Sequence, residues 1–301
     1  MDKAVLFIIF NRPDTSERVL EEIIKAGPKK IYVAGDGPRN SSEKPIIEET
    51  RNMVRQKTLD MDCEYLFRDQ NLGCKRGVIG AIDWFFENET EGIILEDDCL
   101  PTADFFVFCN SMLDQYEQDK EVMHIAGSNL LIESENASSY YFSRLPNIWG
   151  WATWKRAWES YDPEMQKIEE FKSGSILRDI IPNAKLRSRY TKLYDKIYRG
   201  VDTWDFQWTY STIMNNGLCI IPNKNLISNI GFGNNATHSI DPENPLANLK
   251  LEPFESALNH PKNKTIDRMA EKRFLEITNS MPPIHLRVIN KLKKVKRMIF
   301  S

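Results

Sequence analysis

The hydrophobic pattern of the first 130 residues switches repeatedly between two periods. Residues 4–10 (AVLFIIF) form an unbroken apolar run, as expected of a strand buried on both faces of a parallel sheet. Asn11, Arg12 and Pro13 end it. Asp14 and Glu17 then suit a capping box for a helix that carries Val19, Leu20, Ile23 and Ile24 on one face and stops at Gly27. Residues 30–34 (KIYVA) predict a second strand, broken by the GDGP turn at 35–38, and a polar helix follows over about 43–57. The order then recurs. A strand at 63–67 leads past Gly73 to a helix through Val78, Ile82, Trp84 and Phe85, a strand at 92–95 leads to a helix over about 104–116, and a strand at 122–126 closes the series. Such alternation predicts an α/β fold, a doubly wound, mixed and mainly parallel sheet flanked by helices. In such folds ligands bind where the carboxyl ends of the strands meet the loops.

After Gly127 the texture changes. Loops rich in Asn, Ser and Tyr lead to a tryptophan-dense stretch, helices over about 167–199, a segment at 204–214, a short strand near 218–221 and a Gly/Asn-rich loop at 231–235. Residues 241–264, rich in Pro and Asn, read as an extended excursion or lid. There is no internal repeat and no linker, which favours one domain with an appended second half.

Composition narrows the class. With 301 residues, 41% hydrophobic and 28% charged, the chain can bury a full core, which excludes a disordered, collagen-like or disulfide-miniprotein chain. The formal net charge of -3 hides a split, because residues 286–301 hold Arg287, Lys291, Lys293, Lys294, Lys296 and Arg297 and no acid. An acidic body argues against nucleic acid as a principal partner. The tail can place Leu286, Ile289 and Ile299 near one helical face, which suits a helix on an anionic membrane surface or an ordinary packed C-terminal helix. No apolar run is long enough to span a bilayer and the N-terminus lacks a signal-peptide pattern, so a cytoplasmic location is expected. The five cysteines have no CxxC spacing and read as reduced core thiols.

The candidate chemistry collects at predicted strand ends. Asn11 and Arg12 follow the first strand, Asp36 the second, and Lys75 lies in the loop after the third. Glu96, Asp97 and Asp98 directly follow the fourth. Three adjacent carboxylates repel one another unless something positive compensates, and a divalent ion with a preference for hard oxygen ligands is the simplest compensation. The plainer alternative is an acidic turn that caps the next helix through Asp98 or Thr102. Asp36 is either ordinary Asp-Gly turn chemistry or an acceptor for a nucleotide's base or ribose. Residues 71–77 (NLGCKRG) suit a phosphate at a helix N-terminus, with Lys75 and Arg76 supplying charge. Trp149, Trp151, Trp154 and Trp158 fall within ten residues. That density suits stacking on sugar rings, or, for Trp154 and Trp158, a hydrophobic seam between the two halves. Asp205, between Trp204 and Phe206, has the apolar company that raises a general base's pKa, or is a helix cap. His238 follows the Gly/Asn loop, as a surface residue or as a ligand or phosphate contact.

In order, VAGDGP, NLGCKRG, ILEDD, WGWATWKRAW, TWDFQW and the closing glycine loop resemble the nucleotide-sugar glycosyltransferases of the GT-A fold. More narrowly, they are similar to the N-acetylglucosaminyltransferase I group and its bacterial relatives. The resemblance spans about residues 4–239. It implies that Asp98 coordinates Mn²⁺ (or Mg²⁺) bound to the donor diphosphate, that Glu96 and Asp97 hold the nucleoside, that Asp36 contacts the base, and that Asn11 and Arg12 line the nucleotide pocket. Asp205, matching the first acid of a Trp-Asp-Asp-Trp pattern, would be the base that deprotonates the acceptor, although Phe206 and Gln207 stand where the family has a second acid and then Trp. Lys75 or His238 would assist the leaving diphosphate. Trp151 would bind substrate.

The implied activity is metal-dependent, inverting transfer of a sugar from a nucleotide-diphosphate sugar, first of all a UDP-sugar, to a hydroxyl of a glycan or lipid-linked glycan in bacterial surface polysaccharide or lipopolysaccharide synthesis. The expected division is a nucleotide-sugar-binding part over 1–130, an acceptor-binding and catalytic part over 131–265 and a helical basic tail over 266–301. Two other functions stay open, a sugar-1-phosphate nucleotidyltransferase and a catalytically silent, membrane-associated glycan-binding module.

Overall fold

The computed structural model describes residues 1–131, 138–232, 246, 248–254 and 257–280. His238 and the tail over 281–301 lie outside the described residues. The strands are β1 (Val5–Ile9), β2 (Ile31–Gly35), β3 (Cys63–Phe67), β4 (Glu91–Glu96), β5 (Cys99–Pro101), β6 (Val122–Ala126), β7 (Tyr140–Ser143), β8 (Trp151–Trp154), β9 (Leu218–Pro222) and β10 (Ile227–Asn229). The helices are α1 (Pro13–Ala26), α2 (Lys44–Lys57), α3 (Gly73–Asn88), α4 (Ala103–Gln115), α5 (Lys155–Trp158), α6 (Ile168–Ser173), α7 (Ser175–Ile180), α8 (Ala184–Tyr198), α9 (Asp205–Met214) and α10 (Arg268–Ser280).

Eight strands form one mixed sheet in the order β3-β2-β1-β4-β8-β6-β9-β7, and β5 pairs with β10 separately. The first four are mutually parallel. Their alternation sorts side chains to two buried faces: Val5, Phe7 and Ile9 of β1 pack with Val19, Leu20 and Ile23 of α1 and with α4. Leu6 faces the other way, against Val78, Ile82 and Phe85 of α3. Burial on both faces is what a continuous apolar run requires. Helix α1 starts at Pro13, with Arg12 at the N-cap and no side-chain cap, so the expected Asp14–Glu17 capping box is not used: proline at the first position needs no N–H partner there.

Beyond β4 the sheet stops being parallel. β8 enters antiparallel between β4 and β6, placing Trp151 on the α3 face and Ala152 and Trp154 on the opposite one. The second half thus completes the same sheet, and its helices α6 to α10 share a further core around Phe171, Tyr194 and Leu275. Helix α10 is fastened by Glu271, which pairs with Arg144 just after β7. The described parts of the Pro/Asn-rich stretch are also tied down, with the Phe254 N–H donating to Asp104 at 2.8 Å and Lys264 paired with Asp119 at 2.6 Å. All five cysteines are free. No described helix is long and apolar enough to cross a membrane.

Candidate active site

Parallel pairing of β1 with β4 sets Ile8 opposite Glu96, so the turn after each strand leaves the sheet beside the other. The acidic triplet and Arg12 meet there. Asp97, buried, accepts the Phe10 N–H on Oδ2 and Arg12 Nη1 on Oδ1, both at 3.0 Å. The same Nη1 donates to Asp98 Oδ2 at 2.7 Å. The positive partner expected for the triplet is therefore supplied in part by a side chain. It does not cancel the whole charge: burial, then Asp98, Asp97 and Asp205, push Glu96 well above the usual carboxylate range against the pull of Arg12. Burial also raises Asp97, opposed by Arg12. Helix α4 is capped by Thr102, whose hydroxyl accepts the Phe105 N–H at 3.2 Å, and Asp98 plays no part in that cap.

Asp98 is overlaid by the chain after β10. The Ile230 N–H donates to the Asp98 carbonyl at 2.8 Å, and Gly231 lies so close that a Cβ there would overlap Asp98 Oδ2. Only glycine gives the carboxylate room at that point.

Asp205 is the first residue of α9, with its Oδ1 accepting the Thr203 hydroxyl. It lies within electrostatic reach of the triplet, adding to the rise of Glu96, and burial with the charges of Glu96, Asp205, Asp202 and Asp36 pushes the Cys74 thiol up. Asp36 has a definite local task. Its carboxylate accepts the N–H groups of Leu72 (2.9 Å) and Gly73 (3.1 Å) and the Asn71 side chain (3.0 Å), fixing the loop into α3. Asp202, which sequence reasoning missed, accepts the N–H groups of Cys74 and Lys75 at 2.9 and 2.8 Å. A carboxylate from 128 residues away thus occupies the helix N-terminus where a phosphate was expected. Lys75 Nζ is taken up by the Pro163 carbonyl (2.8 Å) and Glu164 (3.1 Å), so it tethers the turn after Tyr161. Asn11 reaches Glu43 at 3.4 Å.

Trp151 corrects an expectation. It is 1% exposed, stacked between His124 (5.1 Å) and Trp204 (5.7 Å), and cannot present a face to a sugar. As the first residue of β8, paired with Ile94 of β4 and Ala126 of β6, it is turned into the core against α3. Trp154 and Trp158 are buried too, as a seam requires. His124, which also lacked a sequence signal, is fully buried. Burial lowers its pKa to about 3, and its ring accepts from Trp208 Nε1 (3.2 Å) and donates to the Asn147 carbonyl (2.9 Å).

On another side of Asp205 lies a cavity of about 200 Å³, with Trp149, Tyr190, Tyr194, Phe206 and Phe274 in its walls.

Among the described residues, no group of three or more His, Cys, Asp or Glu side chains can hold a metal ion alone. The donor set still fits a Mg²⁺ or Mn²⁺ ion that takes most of its ligands from a diphosphate and water. It offers hard carboxylate oxygens, a surplus of negative charge over one guanidinium, and an Asp98 side chain more accessible than that of Asp97 (18% against 8%).

No protein-family model and no curated protein sequence matches the chain. Solved structures do show likeness in outline. GalNAc-T7 with UDP, GalNAc and Mn²⁺ matches with 12% identity and TM-score 0.47, over 74% of this chain and 43% of that one. TarS 1-349 from S. aureus matches with 11% identity and TM-score 0.42, over 74% and 58%. An apo UDP-glucose pyrophosphorylase matches with 11% identity and TM-score 0.37, over 74% and 90%. The chain spans about half the length of the first two.

Proposed function

We propose that the protein is a glycosyltransferase that moves a sugar from a nucleotide-diphosphate donor, first of all a UDP-sugar, to a hydroxyl of a glycan or lipid-linked glycan. One observation carries this: the carboxylate triplet at the end of β4 lies within electrostatic reach of the separate carboxylate of Asp205, and Asp205 also lines an aromatic-walled cavity. A donor and an acceptor need such a pair of adjoining sites. The sequence motifs ILEDD and TWDFQW, which resemble those of the N-acetylglucosaminyltransferase I group, support the same reading.

Asn11, Arg12, Asp36, Glu96 and Asp97 form the rim on which the nucleoside would lie. Bound through Asp98 and the donor's phosphates, a divalent ion would neutralise charge on the leaving diphosphate. Asp205 accepts the acceptor's hydroxyl proton while that oxygen bonds to the anomeric carbon. The carbon's bond to the diphosphate oxygen breaks on the opposite face, and the nucleoside diphosphate leaves with the bonding pair. One base and one displacement invert the anomeric centre. We assign the acceptor to bacterial surface polysaccharide or lipopolysaccharide assembly at the inner membrane face, where the basic tail would meet anionic lipid.

The test is a panel of UDP-, GDP-, CMP- and dTDP-sugars with Mn²⁺, read for donor cleavage and for melting temperature. Cleavage of one donor with inverted product is expected. Retained configuration would remove the displacement mechanism, and failure of every donor to bind would favour a silent glycan-binding module.

A further inference from the structure

We propose that the outer face of α8 is a docking surface for an anionic membrane. Lys185, Arg189, Lys192, Lys196 and Arg199 recur along it at alternating steps of four and three residues, so at about 100° per residue they fall within one arc of roughly 80°. All five are exposed. From Lys185 to Arg199 the row is about 21 Å long at ~1.5 Å per residue.

The other side of the helix is committed to the protein. Tyr194 and Ile197 are buried in the core around Phe171, and Arg187 Nη1 donates to the Ile181 and Pro182 carbonyls at 2.7 and 2.9 Å. The single acid of α8, Asp195, is paired with Lys172 of α6 at 2.5 Å. Lys185, Lys192 and Arg199 make no side-chain hydrogen bond or ion pair among the described residues.

Charge decides the kind of partner. Residues 184–199 carry +5 and residues 286–301 carry +6 within a whole-chain charge of -3, which leaves -14 for the remainder. A polyanion that wraps the molecule is repelled by that remainder, whereas a bilayer touches one face. The chain that leads to the second basic segment starts at the stripe: Arg189 Nη1 donates to Asn279 Oδ1 at 2.7 Å, and residue 286 follows Asn279 by seven residues, a reach of about 25 Å at most. At the opposite end the exposed side chains turn apolar, with Tyr198 at 57% and Val201 at 48% exposure. Basic and apolar groups side by side suit the headgroup boundary.

Docking fixes an orientation. Tyr190 and Tyr194, on the other side of α8, line the cavity beside Asp205, so the helix diameter, about 10 Å, separates that cavity from the lipid surface. An acceptor carried on lipid would thus reach Asp205 without leaving the membrane surface. That consequence rests on the transferase assignment, and the docking itself does not.

The experiment is cosedimentation of the full chain with phosphatidylcholine vesicles holding about one-third phosphatidylglycerol, without donor or acceptor. Binding is expected, with none to pure phosphatidylcholine and most of it lost at about 1 M salt. Neutralising a cation at the lipid surface costs about fivefold in affinity, so Lys185→Gln, Lys192→Gln and Arg199→Gln together should weaken binding by about 100-fold, while Lys185→Arg, Lys192→Arg and Arg199→Lys together retain it. Amide hydrogen exchange in wild-type α8 should slow when vesicles are added, and decides alone if the triple variant fails to fold. Absence of vesicle binding, undiminished binding by the triple Gln variant, unchanged exchange in α8, equal binding to neutral vesicles, or tighter stripe-dependent binding of a DNA duplex than of vesicles would overturn the docking surface. Vesicle binding without transfer from any nucleotide sugar would leave it standing and remove the transferase assignment. Transfer without vesicle binding would do the reverse.

Discussion

Arg12 stands between two carboxylates that β1 and β4 bring together, and one of them, Asp97, is almost wholly buried. Removing one partner of a buried pair leaves the other charge uncompensated, at a cost of about 3–5 kcal/mol. Arg12→Met is therefore expected to lower the urea-unfolding free energy by about that much, with Arg12→Lys recovering part of it. A loss under 1 kcal/mol would mean that the pair is solvated. His124 gives a pH signature. Its folded pKa, near 3, lies below the unfolded value of about 6.5, so its contribution is complete above about pH 6.5 and is lost as the pH falls toward 3, by about 1.4 kcal/mol per unit. The difference in stability between wild type and His124→Gln should shrink in that sense between about pH 6 and pH 4, and a flat difference would show that the ring is charged or hydrated. At this scale the sequence was informative where chemistry and strand ends coincide, as in Glu96, Asp97 and Asp98. It was silent where a partner comes from a distance. The pairing of Arg12 with Asp97 and the Asp202 carboxylate on the α3 N-terminus both depend on tertiary approach, which no local pattern records.

Strands β1, β2 and β4 were readable because each is buried on both faces and is written as an apolar run, and the edge strand β3, though only partly buried, matches its expected span of 63–67. β8 was not. Its WATW sequence carries a threonine, and the spacing of Trp151, Trp154 and Trp158 suggests a helix. Its antiparallel insertion between β4 and β6 is a long-range pairing. Three-residue β5 and β10 lack a period altogether, yet their pairing carries the chain to Gly231 and Asp98. Helix α10 shows how an element late in the chain is held: Glu271 is 3% exposed and bonded to Arg144 through both oxygens. Glu271→Ala is expected to cost about 3 kcal/mol and to speed amide hydrogen exchange in α10 more than in β1. Uniform change across the molecule would mean that α10 is not a separately held unit. Because Phe274 and Thr278 of this helix line the cavity beside Asp205, its docking also shapes that cavity.

Across the whole molecule, one continuous sheet joins the part that bears the acidic triplet to the part that bears Asp205. Trp204 is the hinge of that arrangement: it packs with Trp151 and Trp208 against α3, so the start of α9 is fixed relative to the carboxyl edge of β4. Six acids act at this edge: Asp36, Glu96, Asp202 and Asp205 on Cys74, and Glu96, Asp97 and Asp98 on Arg12. Such a surplus suits a partner that arrives with a cation. The most direct measurement is transfer of a labelled sugar from the cleaved donor to its acceptor by wild type and by Asp205→Asn, at equal nucleotide occupancy. Loss of a general base is expected to lower turnover by about 10²–10⁴-fold while nucleotide affinity stays unchanged. Undiminished transfer by Asp205→Asn would contradict the assignment of the base and, with it, the role given to this group of carboxylates.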